Sequence, residues 1–127
     1  MIMTYVGQVA ALIAALIHVY IFVIESVLFT RPDVQAKTFR VPPEDVAAAR
    51  PWAFNQGFYN LFLAIGTLVG LVLIHAASRD AGLALVALAC GCMLAAAAVL
   101  LYSNPKLLRS AAVQGAAPLI ALAFIFI

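Results

Sequence analysis

Four long apolar runs alternate with short polar links along the chain, at about residues 4–29, 52–77, 82–102 and 105–127. A helix crosses a bilayer with roughly 20 mostly apolar residues, so each run predicts a spanning helix. No Lys or Arg precedes the first run, and it is too long for a signal-peptide core, so it reads as a retained helix. Ser103-Asn104-Pro105 supplies a cap and a first-turn proline for the fourth. The short links at Ser78–Ala81 and Ser103–Pro105 make their neighbours antiparallel hairpins. The expected fold is all-α: an integral membrane four-helix bundle, up-down-up-down, in a single domain over residues 1–127.

The segment from Thr30 to Pro51 differs in kind. Pro42-Pro43-Glu44-Asp45-Val46 has the proline and acidic residues of a helix start. A short helix there should stop by Arg50, because the residue before a proline disfavours helical geometry.

Composition agrees with this reading. Of 127 residues, 67% are hydrophobic and 9% charged, against about 25% charged in ordinary soluble domains. A soluble enzyme and a large extramembrane domain are excluded. The lipid bilayer is the expected partner. A net charge of +2 with no basic stripe gives no reason to expect nucleic acid. Cys90 and Cys92 lie two apart in an apolar run, where they point to different helix faces and act as packing residues. Six basic residues (Arg31, Lys37, Arg40, Arg50, Lys106, Arg109) lie on one side of the predicted spans and Arg79 alone on the other. That asymmetry places loop 30–51 in the cytoplasm and both termini outside.

Polar residues inside spans are costly and usually face protein or a cavity. At about 100° per residue, His18, Phe22, Glu25 and Phe29 share a stripe of the first helix with Thr4, Gly7, Ala11, Ala14 and Ala15. Leu12, Ile13, Leu16, Ile17, Val23, Ile24 and Val27 form the opposite, lipid-facing side. Tyr20 is the one polar residue there, and the pattern does not account for it. On the second helix Asn55, Gln56, Tyr59, Asn60, Gly66, Thr67 and Gly70 fall within roughly 140°. Gly66 and Gly70 form a GxxxG step suited to close helix contact. On the fourth, Pro118 frees the Gln114 carbonyl and predicts a kink. The third helix offers only its cysteines and reads as scaffold.

Depth follows from a rise of 1.5 Å per residue. Counted from the long loop, Glu25 lies roughly 6 Å inside, Asn60 and Gln114 roughly 12–14 Å, and His18 roughly 17 Å. Three helices thus place polar groups in the same half of the membrane, which predicts a pocket. His18 and Glu25 are its candidate protonatable groups. They could exchange protons with a ligand or hydrogen-bond a carbonyl or phenol. Asn55, Gln56, Asn60 and Gln114 are candidate hydrogen-bonding amides, and Phe22 and Tyr59 candidate walls.

A plainer reading exists for several of these. Asn55 and Gln56 suit interfacial capping. Asn60 and Gln114 suit interhelical bonds worth roughly a kcal/mol. Tyr5, Trp52 and Tyr102 suit an aromatic belt, and His75 an interfacial site. One His, one Glu and amides are too few good ligands for zinc, so neither metal nor cofactor is expected. GxSxG, HExxH, P-loop and Rossmann fingerprints are absent.

The stretches His18-Val19-Tyr20-Ile21-Phe22-Val23-Ile24-Glu25, Asn55-Gln56-Gly57-Phe58-Tyr59-Asn60 and Gln114-Gly115-Ala116-Ala117-Pro118 resemble a family of small bacterial membrane proteins, domain of unknown function 1304. The likeness covers nearly the whole chain. It implies a four-span protein of the bacterial plasma (inner) membrane. It marks His18, Glu25, Asn55, Gln56, Tyr59, Asn60 and Gln114 as signature positions and implies no activity. A looser likeness, of architecture alone, is to small four-span cofactor-free oxygenases of aromatic polyketides.

Three functions remain in play. The first is a pocket that binds or moves a small, partly apolar (lipophilic) ligand, with movement implying a homo-oligomer. The second is a membrane-embedded acid/base enzyme, of isomerase or cofactor-free oxygenase type, using His18 or Glu25 on a lipophilic substrate. The third is a structural or assembly subunit packing against partner helices.

Overall fold

The computed structural model of the chain describes residues 3–126; the expected end of the fourth helix at Ile127 lies outside them. Helix α1 spans Tyr5–Phe22 and continues into a π-helical turn, Val23–Val27. The following loop holds a second π turn, Val34–Thr38, and a 3-10 turn, Pro43–Asp45. Helix α2 spans Val46–Ala76, α3 Arg79–Ser103 and α4 Leu108–Phe126, the last entered through a 3-10 turn at Pro105–Leu107. Among the described residues there is no strand. The fold is all-α, and four helical segments are long and apolar enough to cross a membrane: Tyr5–Val27, Pro43–Ala76, Arg79–Ser103 and Pro105–Ile125.

The caps explain two of the boundaries. Ser78 accepts a hydrogen bond from the Ala81 amide at 3.3 Å and opens α3. Asn104 does the same for Lys106 at 3.2 Å, with Pro105 just inside the turn. Each satisfies an amide that the first helical turn leaves without an intrahelical acceptor.

The start of α2 corrects the sequence reading. The chain does not break at Arg50 but runs helically through Pro51. Proline removes the bond to the carbonyl four residues back, here that of Ala47. Both Ala47 and Pro51 are exposed, so solvent can take up the freed carbonyl. The segment Pro43–Ala76 has 34 residues, or about 51 Å at 1.5 Å per residue. That exceeds a hydrocarbon core of about 30 Å, and Glu44, Asp45 and Arg50 put the excess at the loop end.

The chain divides into two compact bodies, Met1–Ile17 with Leu63–Ile127, and His18–Phe62. Segments of all four helices make the first. Its core joins Ala11 and Ala14 of α1, Ile74 of α2, Leu83, Val86 and Met93 of α3, and Ala121 and Ile125 of α4. Close approach of α2 and α3 depends on Gly70 and Gly82. A Cβ at Gly82 would stand 2.5 Å from the Gly70 carbonyl oxygen and 2.6 Å from the Ile74 nitrogen. The other half of the expected GxxxG step is not in close contact: a Cβ at Gly66 would meet only Ala89, at 3.9 Å. Thr67, fully buried, turns its hydroxyl back to the Leu63 carbonyl at 2.9 Å. Facing outward are Leu12, Leu16, Val72, Leu88, Val99 and Leu119. Large apolar side chains exposed on every helix are stable against lipid and not against water.

The second body contains the end of α1, its π turn, the loop and the start of α2. It holds most of the candidate site.

Candidate functional site

Glu25 sits in the π turn that ends the first span. The turn is closed by the Leu28 amide donating to the Val23 carbonyl at 2.8 Å, five residues back. A π turn inserts one extra residue into the helical course, and such turns recur at functional sites. The inserted residue also rotates the positions around it. Ile24, expected to face lipid from a uniform 100° spacing, is buried at 8% exposure.

Opposite the turn lies Gly57 of α2. A Cβ there would overlap the Ser26 hydroxyl and come within 3.1 Å of the Glu25 Cβ, so the two backbones can approach only because the residue is glycine. Ser26 Oγ donates to the Phe54 carbonyl at 2.7 Å and ties the turn to α2. Asn60, one turn on from Gly57, donates from Nδ2 to Glu25 Oε1 at 2.8 Å; the same amide also reaches the Gln56 carbonyl at 3.1 Å. Both side chains are buried, Glu25 at 7% and Asn60 at 8% exposure. No buried side-chain nitrogen or oxygen among the described residues lacks a partner.

This pairing corrects the depth estimate, which set Glu25 and Asn60 apart by roughly 6–8 Å. The count assumed helices ending at Phe29 and starting at Trp52. The bond between Glu25 and Asn60 shows that Phe29 and Trp52 do not mark one level: α2 runs on past Trp52 to Val46, so its expected start was no zero from which to count depth.

Beside the pair is a wide-mouthed groove of ≈560 Å³. Its polar lining is Glu25, Asn55 and Gln56; the aromatic lining is Phe29, Phe39 and Trp52. Val41, Ala49 and Ala53 complete it. The loop supplies part of this wall through its own hydrogen bonds. Gln35 Nε2 donates to the Phe29 carbonyl at 2.7 Å, and the Val41 amide donates to the Gln35 carbonyl at 2.9 Å. Arg40 takes a left-handed conformation (φ 54°) to make that reversal. Phe39 then meets Phe29 edge to face, with ring centroids 5.5 Å apart.

The other predicted site residues are placed as follows. His18 is buried at 1% exposure, seven residues before Glu25 on the same helical course. Phe22 packs edge-on against Phe58 at 5.1 Å and does not line the groove. Tyr59 is exposed and meets Phe62 edge-on at 6.4 Å. Gln114 belongs to the first body, half-buried on α4 one turn before the buried Pro118. Cys90 is buried and Cys92 exposed, both as free thiols. No three His, Cys, Asp or Glu side chains gather as a metal site among the described residues.

Sequence reasoning missed Ser26, Gly57, Phe39 and Val41. The glycine was legible within the Asn55–Asn60 motif. The loop residues carry no periodic signal. A polar pair in the first body was missed too: His75 Nε2 lies 2.6 Å from Gln8 Oε1, and Gln8 Nε2 donates to the Met3 carbonyl at 3.2 Å.

A family model described as protein of unknown function (DUF1304) matches residues 12–126. The chain belongs to that family. The DUF1304 match takes in every candidate from His18 to Gln114, and with them the π turn and Gly57. No curated protein and no solved structure matches the chain.

Proposed function

We propose that this DUF1304 protein binds a small, partly apolar molecule in the groove beside Glu25. Glu25, held by the Asn60 amide, forms the polar base, Asn55 and Gln56 orient the ligand by hydrogen bonds, and Phe29, Phe39 and Trp52 hold its apolar part. His18 acts behind Glu25 as a second protonatable group. The protein lies in a bacterial inner membrane with the loop on the cytoplasmic side.

One observation carries the reading: a buried carboxylate, hydrogen-bonded by a buried amide, opens onto an aromatic-lined groove. A carboxylate inside a span is costly, and a helix pair held for packing alone is equally well served by apolar residues of similar volume. Convergent polar groups in an otherwise apolar cavity are what small-molecule sites are made of.

Trp52 is the one tryptophan of the chain and lines the groove, so its emission reports occupancy. The purified protein in lipid nanodiscs is titrated with small brominated aromatic amphiphiles, beginning with 4-bromobenzyl alcohol; bromine quenches tryptophan on contact. Saturable quenching that disappears in Ala49→Phe, which fills the groove, is the expected result. Quenching that rises linearly and is the same in both proteins for every probe overturns the reading.

A further inference from the structure

We infer that the ligand class is a lipophilic organic cation, an amine or quaternary ammonium carried on an apolar or aromatic body. The inference rests on the groove being a ligand site and names what it selects.

Three observations point the same way. The first is charge. Glu25 is the one ionisable side chain among the nine lining residues, and no Lys, Arg or His lines the groove. Four basic residues of the same body, Arg31, Lys37, Arg40 and Arg50, all stay out of the lining. Arg31 is instead paired with Asp33 at 3.1 Å, with both side chains exposed. An anionic ligand would meet a carboxylate and no counter-charge.

The second is the aromatic set. Phe29, Phe39 and Trp52 come from three different places: the turn just past the first span, the loop further on and the start of α2. Aromatic faces attract cations through the ring quadrupole, tryptophan most strongly, and cages of such rings recognise quaternary ammonium groups. A purely apolar ligand needs only apolar walls, which aliphatic residues supply equally well. The combination of several rings with a carboxylate fits a cation.

The third is hydrogen bonding at the carboxylate. Asn60 engages Oε1, which holds the carboxyl group in one orientation; the inference gives Oε2 to the cation. Val41, Ala49 and Ala53 form the apolar remainder of the wall and accept the hydrocarbon part of the ligand.

A matched probe pair tests this against the broader reading. 4-Bromobenzyltrimethylammonium and 1-bromo-4-(2,2-dimethylpropyl)benzene have nearly the same shape and differ in the charged nitrogen. Both are titrated against Trp52 emission in nanodiscs of zwitterionic lipid, with the Ala49→Phe curve subtracted. The expected result is at least tenfold tighter binding of the cation, with the ratio falling to about one in Glu25→Gln. Phe39→Leu, a loop position that takes no part in the buried hydrogen bond, should weaken the cation more than the neutral probe and lower the ratio severalfold. Saturable binding with equal affinities overturns the cation class and leaves the ligand site standing. No saturable binding of either probe overturns both. If Glu25→Gln does not fold, an unchanged cation-to-neutral ratio in Phe39→Leu overturns the inference by itself.

Discussion

The amide of Asn60 donates to Glu25 Oε1 at 2.8 Å across 35 residues of sequence. That bond joins a π turn at the end of one span to a regular α-helix in the next. Its consequences for stability are measurable.

Interhelical hydrogen bonds in membranes contribute about 0.6 kcal/mol on average and up to about 1.7 kcal/mol. A carboxylate acceptor puts this one at the upper end. A double-mutant cycle of Glu25→Ala and Asn60→Ala, read by unfolding in mixed detergent micelles, should return a coupling of about 1.5 kcal/mol. Additive single-mutant effects would show that the two side chains do not interact.

Gly57 is expected to be intolerant. Gly57→Ala places a methyl group on the Ser26 hydroxyl and 3.1 Å from the Glu25 Cβ, an overpacking that costs about 1–3 kcal/mol. Adding Ser26→Gly should recover part of the loss, because it removes one of the two obstacles. Gly91→Ala is the control: nothing lies within 4 Å of the added methyl, and helix propensity favours alanine by up to about 1 kcal/mol. Equal melting temperatures for Gly57→Ala and Gly91→Ala would refute the close approach.

Between α2 and α3 the sensitive position is Gly82. Its added Cβ would press on the backbone of Gly70 and Ile74, which cannot swing aside as a side chain can. Gly82→Ala should therefore destabilise by more than about 2 kcal/mol, and Gly66→Ala by less than about 0.5 kcal/mol. Thermal unfolding of the two variants side by side decides it, and the reverse order would mean that Gly66 carries the contact.

The topology has its own test. Six basic residues against one predict that the loop between the first two spans is cytoplasmic. A reporter active only in the cytoplasm should be silent at either terminus and active when inserted after Asp33. Strong activity at a terminus would invert the arrangement.

Much of the site was legible because polar residues stand out in an apolar chain. His18, Glu25 and Asn60 were marked by burial cost alone, and all three are buried. The caps at Ser78 and Asn104 follow from local chemistry that needs no tertiary partner. Pro51 was misread because a local preference was weighed without its surroundings; an exposed position near a helix start tolerates the lost bond. Ile24 was misplaced because a constant helical angle cannot anticipate a π turn.

The sequence by itself determined the class of this protein, its four spans and the few residues that do not belong in a bilayer. Those follow from transfer free energies, which each residue carries wherever it sits. Only the tertiary structure decided which polar residues meet. Pairing Glu25 with Asn60 depended on where each helix starts and ends, on the one-residue offset of the π turn and on a missing Cβ at Gly57. The loop's part in the groove was likewise invisible, since Phe39 and Val41 gain their meaning from hydrogen bonds that fold the chain back. Register between elements depends on contacts between residues far apart in the chain, and no single residue's propensity encodes it.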